Sequence, residues 1–193
     1  VQLDKLIENK KGLITTKDVE NAGVPRQYLT MYVRENKLSR VSHGVYLTEE
    51  AFEDEMYVVQ VKSKRIVFSH ETALYMHELT DRDPLELSVT VPRGYNSLTL
   101  KEQGIKVYSI KKELHLMGTM RMITIYGREV IVYDKERTIC DILKNRNNMD
   151  VGMLNEAIKR YVENKEKNIP LLLRYAKELG VQNIVRQYME ILL

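Results

Sequence analysis

Within its first 48 residues the chain changes hydrophobic period, and that change limits the folds open to it. Leu3, Leu6 and Ile7 recur at helical spacing, so 2–10 reads as a helix that Gly12 ends. Thr15 or Thr16 can cap a second helix, with Asp18 in its first turn, where the helix dipole favours an acid. That helix buries Val19 and Ala22 and stops at Gly23. Pro25 opens a third helix at the position where its missing N–H costs nothing. The period then becomes two. RVSHGVYLT (40–48) alternates like a hairpin around Gly44, which supplies the positive φ of a tight turn. A two-stranded hairpin is barely stable alone in water. Leu38, Val41, Val45 and Tyr46 must therefore pack it on the helices. Helix, helix, Gly-containing turn, helix and hairpin is the plan of a winged helix-turn-helix.

The third helix divides cleanly. Leu29, Tyr32 and Val33 share one face; Gln27, Thr30, Met31 and Arg34 share the opposite one. Gln, Thr and Arg hydrogen-bond to base edges, Arg26 and Lys37 suit phosphates, and Tyr28 can touch either. Arg40, Ser42 and His43 stand near the hairpin tip, where a wing meets flanking backbone or minor groove. With Lys17 these are the candidate DNA contacts. The formal net charge of +3 is too small to imply nucleic acid by itself, but its distribution helps. Within 26–46, Arg26, Arg34, Lys37 and Arg40 face Glu35 alone. The competing readings are a solvated polar face and a winged helix used for protein contacts.

AFEDEMY (51–57) is an acidic break and a plausible boundary, giving domains 1–49 and 50–193. Beyond it, RIVF (65–68) reads as a strand and Ser69 caps a helix over 70–79. Strands follow at 85–91 and 105–110, and 121–126 and 129–134 flank Gly127 and Arg128 as a hairpin. From Glu136 onward the pattern is helical: 136–146, 151–164, 170–179 and 181–192. The expected class is α+β: an N-terminal winged helix-turn-helix, then a mixed α/β domain ending in a helical segment.

Several chemistries find no footing. No apolar run approaches the roughly 20 residues that span a bilayer, and the N-terminal residues lack a secretory pattern, so the cytoplasm is expected. The single cysteine, Cys140, excludes an internal disulfide framework. His70 and His77 lie seven residues apart, about 10 Å along a helix, too far for one metal ion. There is no HExxH, GxSxG, GxxxxGK[ST] or GxGxxG. In DPLELS (83–88), Ser88 stands where an E-x-K nuclease would want lysine. No enzyme, metal or cofactor is expected. Glu136, Arg137, Thr138 and Asp141 read as a helix start locked to the sheet rather than as a contact surface, with Arg137 and Asp141 spaced i,i+4. Charge runs at 61–65, 111–112, 144–146 and 159–167 read as solvated faces, with a basic patch that steers a nucleic acid or an acidic partner as the rival reading.

Three stretches together resemble the AbiEi-type antitoxins of bacterial abortive-infection, type IV toxin–antitoxin systems. The first is ITTKDVENAGVPRQYLTMYVRENKLSRVSHGVY (14–46), whose Gly23, Tyr32–Val33–Arg34, Leu38, Arg40, Val41, Gly44, Val45 and Tyr46 match the family's run. The second is FSHETALYMHEL (68–79); the third is DKERTICDIL (134–143). Ser42 and His43 stand where family wings often carry two basic residues, and Asn36 where the third helix usually ends in glycine. Asn tolerates the same left-handed conformation. The resemblance implies two jobs. The winged helix would bind inverted repeats in the promoter of its own operon and repress it. The C-terminal domain would counteract a nucleotidyltransferase-like toxin, with no need for a stable complex. A one-component regulator with a ligand-sensing C-terminal domain is the alternative.

Overall fold

The computed structural model describes residues 2–192. The fold is α+β, 48% helical and 17% strand, and its last third is helical. Contacts divide the chain into two compact units, one running to Lys62 and including 124–128, the other comprising Ser63–Ile123 and the chain from Glu129 onward.

The first unit runs α1 (Gln2–Asn9), β1 (Leu13–Thr15), α2 (Thr16–Asn21), α3 (Gln27–Arg34), β2 (Ser39–Ser42), β3 (Val45–Leu47) and α4 (Glu55–Lys62). The three helices enclose Leu3, Ile14, Val19, Leu29, Tyr32 and Leu38, each less than 5% exposed. Of the two candidate threonines Thr15 caps α2: its hydroxyl accepts from the Asp18 N–H at 3.1 Å while Asp18 Oδ2 accepts from the Thr15 N–H at 2.9 Å. Burial works against the Asp18 carboxylate, but its bonds to Lys10 and Thr15 outweigh that and hold it below the ordinary carboxylate range. Helix α3 starts at Gln27, one residue after its Arg26 cap, so Pro25 lies just outside it. Asn36 follows with φ +56.

The hairpin is not two-stranded. β1 joins it in a three-stranded antiparallel sheet of order β1-β3-β2, with Leu13 opposite Leu47 and Thr15 opposite Val45. Leu13, Val45 and Leu47 pack with Val58 of α4, a helix that starts inside the acidic segment read as a break. Gly12 makes the turn from α1 into β1 at φ +77. In residues 124–128, Arg128 Nη2 donates to the Lys11 carbonyl at 2.9 Å.

The second unit runs β4 (Val67–Phe68), α5 (His70–Met76), β5 (Ser88–Pro92), α6 (Leu98–Glu102), β6 (Lys106–Ile110), α7 (Lys112–His115), β7 (Thr119–Ile123), β8 (Glu129–Tyr133), α8 (Lys135–Lys144), a 3-10 turn (146–148), α9 (Val151–Glu163), α10 (Ile169–Glu178) and α11 (Gln182–Leu192). The short helices α6 and α7 carried no readable period. Its five strands form a mixed sheet of order β6-β5-β4-β8-β7, with β5–β6 and β4–β8 parallel. Helix α8 is the core element: every residue from Glu136 to Leu143 is buried. Around Ile139, Cys140, Ile142 and Leu143 pack Leu154, Ile158, Tyr161, Leu172, Ala176 and Val185.

Polar groups in this core are bonded to the fold. Glu136 Oε1 accepts from Tyr161 Oη at 3.0 Å and from the Asn168 N–H at 2.8 Å. Arg137 Nη1 donates to the carbonyls of Leu114 and Met117 at 2.8 and 2.7 Å. The polar cluster opening α8 is thus a buried lock. The Arg137–Asp141 pair is buried as well, unlike the exposed pairs this spacing usually makes.

Candidate functional site

The outer face of α3 is set by its inner one. Leu29 and Tyr32 are buried, and the Tyr32 hydroxyl donates to Asp4 Oδ1 at 2.8 Å, which fixes the roll of the helix. Gln27, Thr30, Met31 and Arg34 therefore face outward, and all four are exposed. Among the described residues, Gln27, Thr30 and Arg34 have no side-chain partner, and no acid stands between them on that face. Four positions of hydrogen-bonding or adaptable character, at 27, 30, 31 and 34, line about two turns of helix.

The flanking cations differ. Arg26 is paired with Glu20. Lys37 Nζ is bonded to Glu35 at 2.7 Å and lies 5.0 Å from the Tyr32 ring. Lys17 is exposed on α2. Tyr28 is half-buried against the helical core, so it offers only part of its ring. At the hairpin, Arg40 and His43 are exposed and joined, with Arg40 Nη2 2.8 Å from His43 Nδ1. Arg40 Nε reaches the Ser42 carbonyl at 3.4 Å. Ser42 itself is half-buried, and its hydroxyl oxygen is buried without a partner. The hairpin tip therefore presents Arg40 and His43 more than Ser42. The ion pairs with Glu20 and Glu35 were not legible, because each joins residues whose approach depends on the turns around α3.

Other candidates fall into the fold. His70 is buried, stacks on Tyr108 with ring centroids 3.5 Å apart, and its Nδ1 lies 2.9 Å from Ser69 Oγ. His77 is buried, with Nε2–H donating to the Tyr133 carbonyl at 2.7 Å. Cys140 is fully buried and burial pushes its thiol up, the opposite of a reactive cysteine. Ser88 is buried and bridges Ser69 and Thr72. Among the described residues no group of three or more His, Cys, Asp or Glu could hold a metal ion, and no helix is long and apolar enough to cross a membrane.

Residues 1–48, the stretch from α1 through β3, match a family model described as "Transcriptional regulator, AbiEi antitoxin". The matched stretch carries every candidate contact named above. No curated protein sequence matches the chain. The crystal structure of the RV2827C protein from Mycobacterium tuberculosis is similar, with a TM-score of 0.60 at 12% identity, over 90% of this chain and 69% of that one. At that identity the likeness speaks for the fold alone.

Proposed function

We propose that the chain is a DNA-binding regulator and antitoxin of the type IV kind. Residues 1–49 act as a winged helix-turn-helix. Helix α3 enters the major groove with Gln27, Thr30, Met31 and Arg34 toward base edges. Lys17, Arg26, Tyr28 and Lys37 lie along the backbone, and the β2–β3 wing brings Arg40, Ser42 and His43 to flanking backbone or minor groove. Two copies occupy inverted repeats in the promoter of the chain's own operon and repress it. Residues from 50 onward counteract a nucleotidyltransferase-like toxin encoded alongside, without catalysis and without a stable complex, in the cytoplasm.

The observation that carries this reading is the exposed, acid-free α3 face beside a basic hairpin, inside the stretch that matches the regulator family. The experiment is a growth rescue. The neighbouring reading frame is expressed from an inducible promoter, and the full chain is added back, either unchanged or with Arg34→Ala and Gln27→Ala together. Arrested growth restored by both forms supports the antitoxin role and separates it from DNA reading. A harmless neighbour, or no rescue by either form, overturns it.

A cavity in the second unit favours one second reading, a one-component regulator whose C-terminal part senses a ligand. That reading requires the DNA affinity to change when the ligand binds.

A further inference from the structure

Strand β7 (Thr119–Ile123) is an outer strand of the five-stranded sheet, with β8 on one side only. The ladder stays in register over its whole length, from Thr119 opposite Tyr133 to Ile123 opposite Glu129. Just before β7 the Asp134 N–H donates to the Gly118 carbonyl at 2.7 Å, and just after it the Thr124 N–H donates to the Arg128 carbonyl at 2.8 Å. Antiparallel bonds alternate along a strand, so the even-numbered residues turn their backbone groups toward β8 and Thr119, Arg121 and Ile123 turn theirs outward. The Thr119 N–H is taken by the Leu116 carbonyl at 3.4 Å. Among the described residues, nothing takes the N–H or the carbonyl of Arg121 or Ile123.

A bare edge is ordinarily blunted by a bulge, a proline or a charge. β2, at the edge of the first sheet, has a register shift between Arg40 and Ser42. β7 has neither shift nor proline, and its one charge, Arg121, is bonded to Glu129 at 3.0 Å. Met120 and Met122 lie on the face of the buried Val132 and Val130, so that apolar layer runs to the border of the sheet, where Met120 is exposed. Ile123 is exposed on the other face, beside Arg121.

We propose that a second copy of this chain pairs antiparallel with β7, with Met122 on the two-fold axis. In this register Arg121 of each copy stands opposite Ile123 of the other, and every free amide and carbonyl at these two positions finds a partner. Each Arg121 stem lies against an isoleucine. The two Met122 side chains form a non-hydrogen-bonded pair, the closer kind, and continue the apolar layer across the edge. Centring the pair on Arg121 instead would oppose two arginines. It would also set the Ile123 carbonyl against the Thr119 N–H that Leu116 already takes. Any extended strand supplies amides; a copy of β7 also brings apolar side chains to both faces and no new charge opposite Arg121. The pairing is isologous, so it closes at two copies and leaves neither edge bare. It goes beyond the reading of α3 and does not rest on it.

Sedimentation velocity of the full chain from about 5 to 500 µM tests it, since a contact this short lies well below the standard interface of about 1,600 Å². The mass should rise from one chain to two, half paired at about 100 µM or below. Arg121→Pro removes an N–H from the free edge and leaves the β8 ladder intact. It should weaken the pair about tenfold or more, with the melting temperature little changed. Met122→Cys gives a gain of signal: opposed Cα atoms about 4.5 Å apart should be trapped as a disulfide under mild oxidation. Met120→Cys should not be trapped, because its two copies lie about 13 Å apart along the strands. The native Cys140 is fully buried and does not compete. A chain that stays single up to about 500 µM leaves the edge to another protein's strand or to none, and overturns the proposal. So does a dimer unmoved by Arg121→Pro, or trapping at Met122 no better than at Met120.

Discussion

Arg137 Nε donates to both carboxylate oxygens of Asp141 at 3.1 Å, and the two side chains are 0% and 6% exposed. The same guanidinium lies 4.1 Å from the Tyr133 ring centroid and holds two carbonyls of the α7–β7 segment. One arginine thus ties helix α8 to the sheet and to the chain before β7. Burial pushes the Asp141 carboxyl up to about 6, against the pull of Arg137.

Removing one partner leaves the other without compensation in the core. Arg137→Ala should lower stability by about 3–5 kcal/mol, and Arg137→Met combined with Asp141→Leu should recover most of the loss. Urea midpoints measure both. A single variant within about 1 kcal/mol of the parent would contradict the lock.

His70 predicts a pH dependence. Burial first, then the charges of Lys106 and Arg137, lower its pKa from 6.5 to about 3. The folded value lies below the unfolded one, so the unfolded chain takes up the proton first. This contribution is complete above about pH 6.5 and is lost as pH falls toward 3, by about 1.4 kcal/mol per pH unit. Asp141, raised, acts in the opposite sense between its ordinary value and about 6. The difference between parent and His70→Asn isolates the histidine, and Asn accepts the φ of +48 found there. Denaturant titrations between pH 4 and 6 should show a shallower slope in the variant, by about one proton. Equal slopes would contradict the buried neutral ring.

Two glycines separate conformation from crowding. Gly23 has φ +68 and open space where a Cβ would stand. Gly12 has φ +77, and a Cβ there would meet Ala51 Cβ at 2.5 Å and Thr48 Oγ1 at 2.6 Å. Gly23→Ala should cost about 1–2 kcal/mol for the left-handed backbone. Gly12→Ala should cost about 1–3 kcal/mol more, for overpacking. Thermal unfolding of the two variants checks the order, and equal losses would contradict the close approach at Gly12.

What could be read from the residues was whatever has a long period or a strong stop. The three N-terminal helices and the turn at Gly44 lie close to where spacing placed them, Thr15 is the cap of the two threonines that could serve, and α3 starts two residues after Pro25. Strand β1 is only Leu13–Thr15, too short to alternate, so the third strand of the first sheet stayed hidden. In AFEDEMY the acids masked the helix that begins at Glu55 and buries Val58 and Val59. The orientation of the α3 face was legible because its apolar side is unambiguous. The pairing of Arg26 with Glu20 was not, because those residues approach only through the α2–α3 turn.

Those pairs yield a further prediction on the binding face. Glu20 and Glu35 partly neutralise Arg26 and Lys37. Glu20→Gln and Glu35→Gln should each strengthen DNA binding, by less than about tenfold, and steepen its salt dependence. Fluorescence anisotropy on the promoter fragment measures this. Weaker binding in both variants would remove Arg26 and Lys37 from the backbone contacts.

The central claim is that α3 and the hairpin read DNA. A salt titration of the chain on its own promoter fragment, against an unrelated duplex, with Arg34→Ala beside the parent, tests it most directly. The account predicts that log affinity falls linearly with log salt. It also predicts that Arg34→Ala costs about 1–3 kcal/mol on the promoter and erodes the preference over the unrelated duplex. A flat salt response, or promoter affinity unchanged by Arg34→Ala, would contradict it.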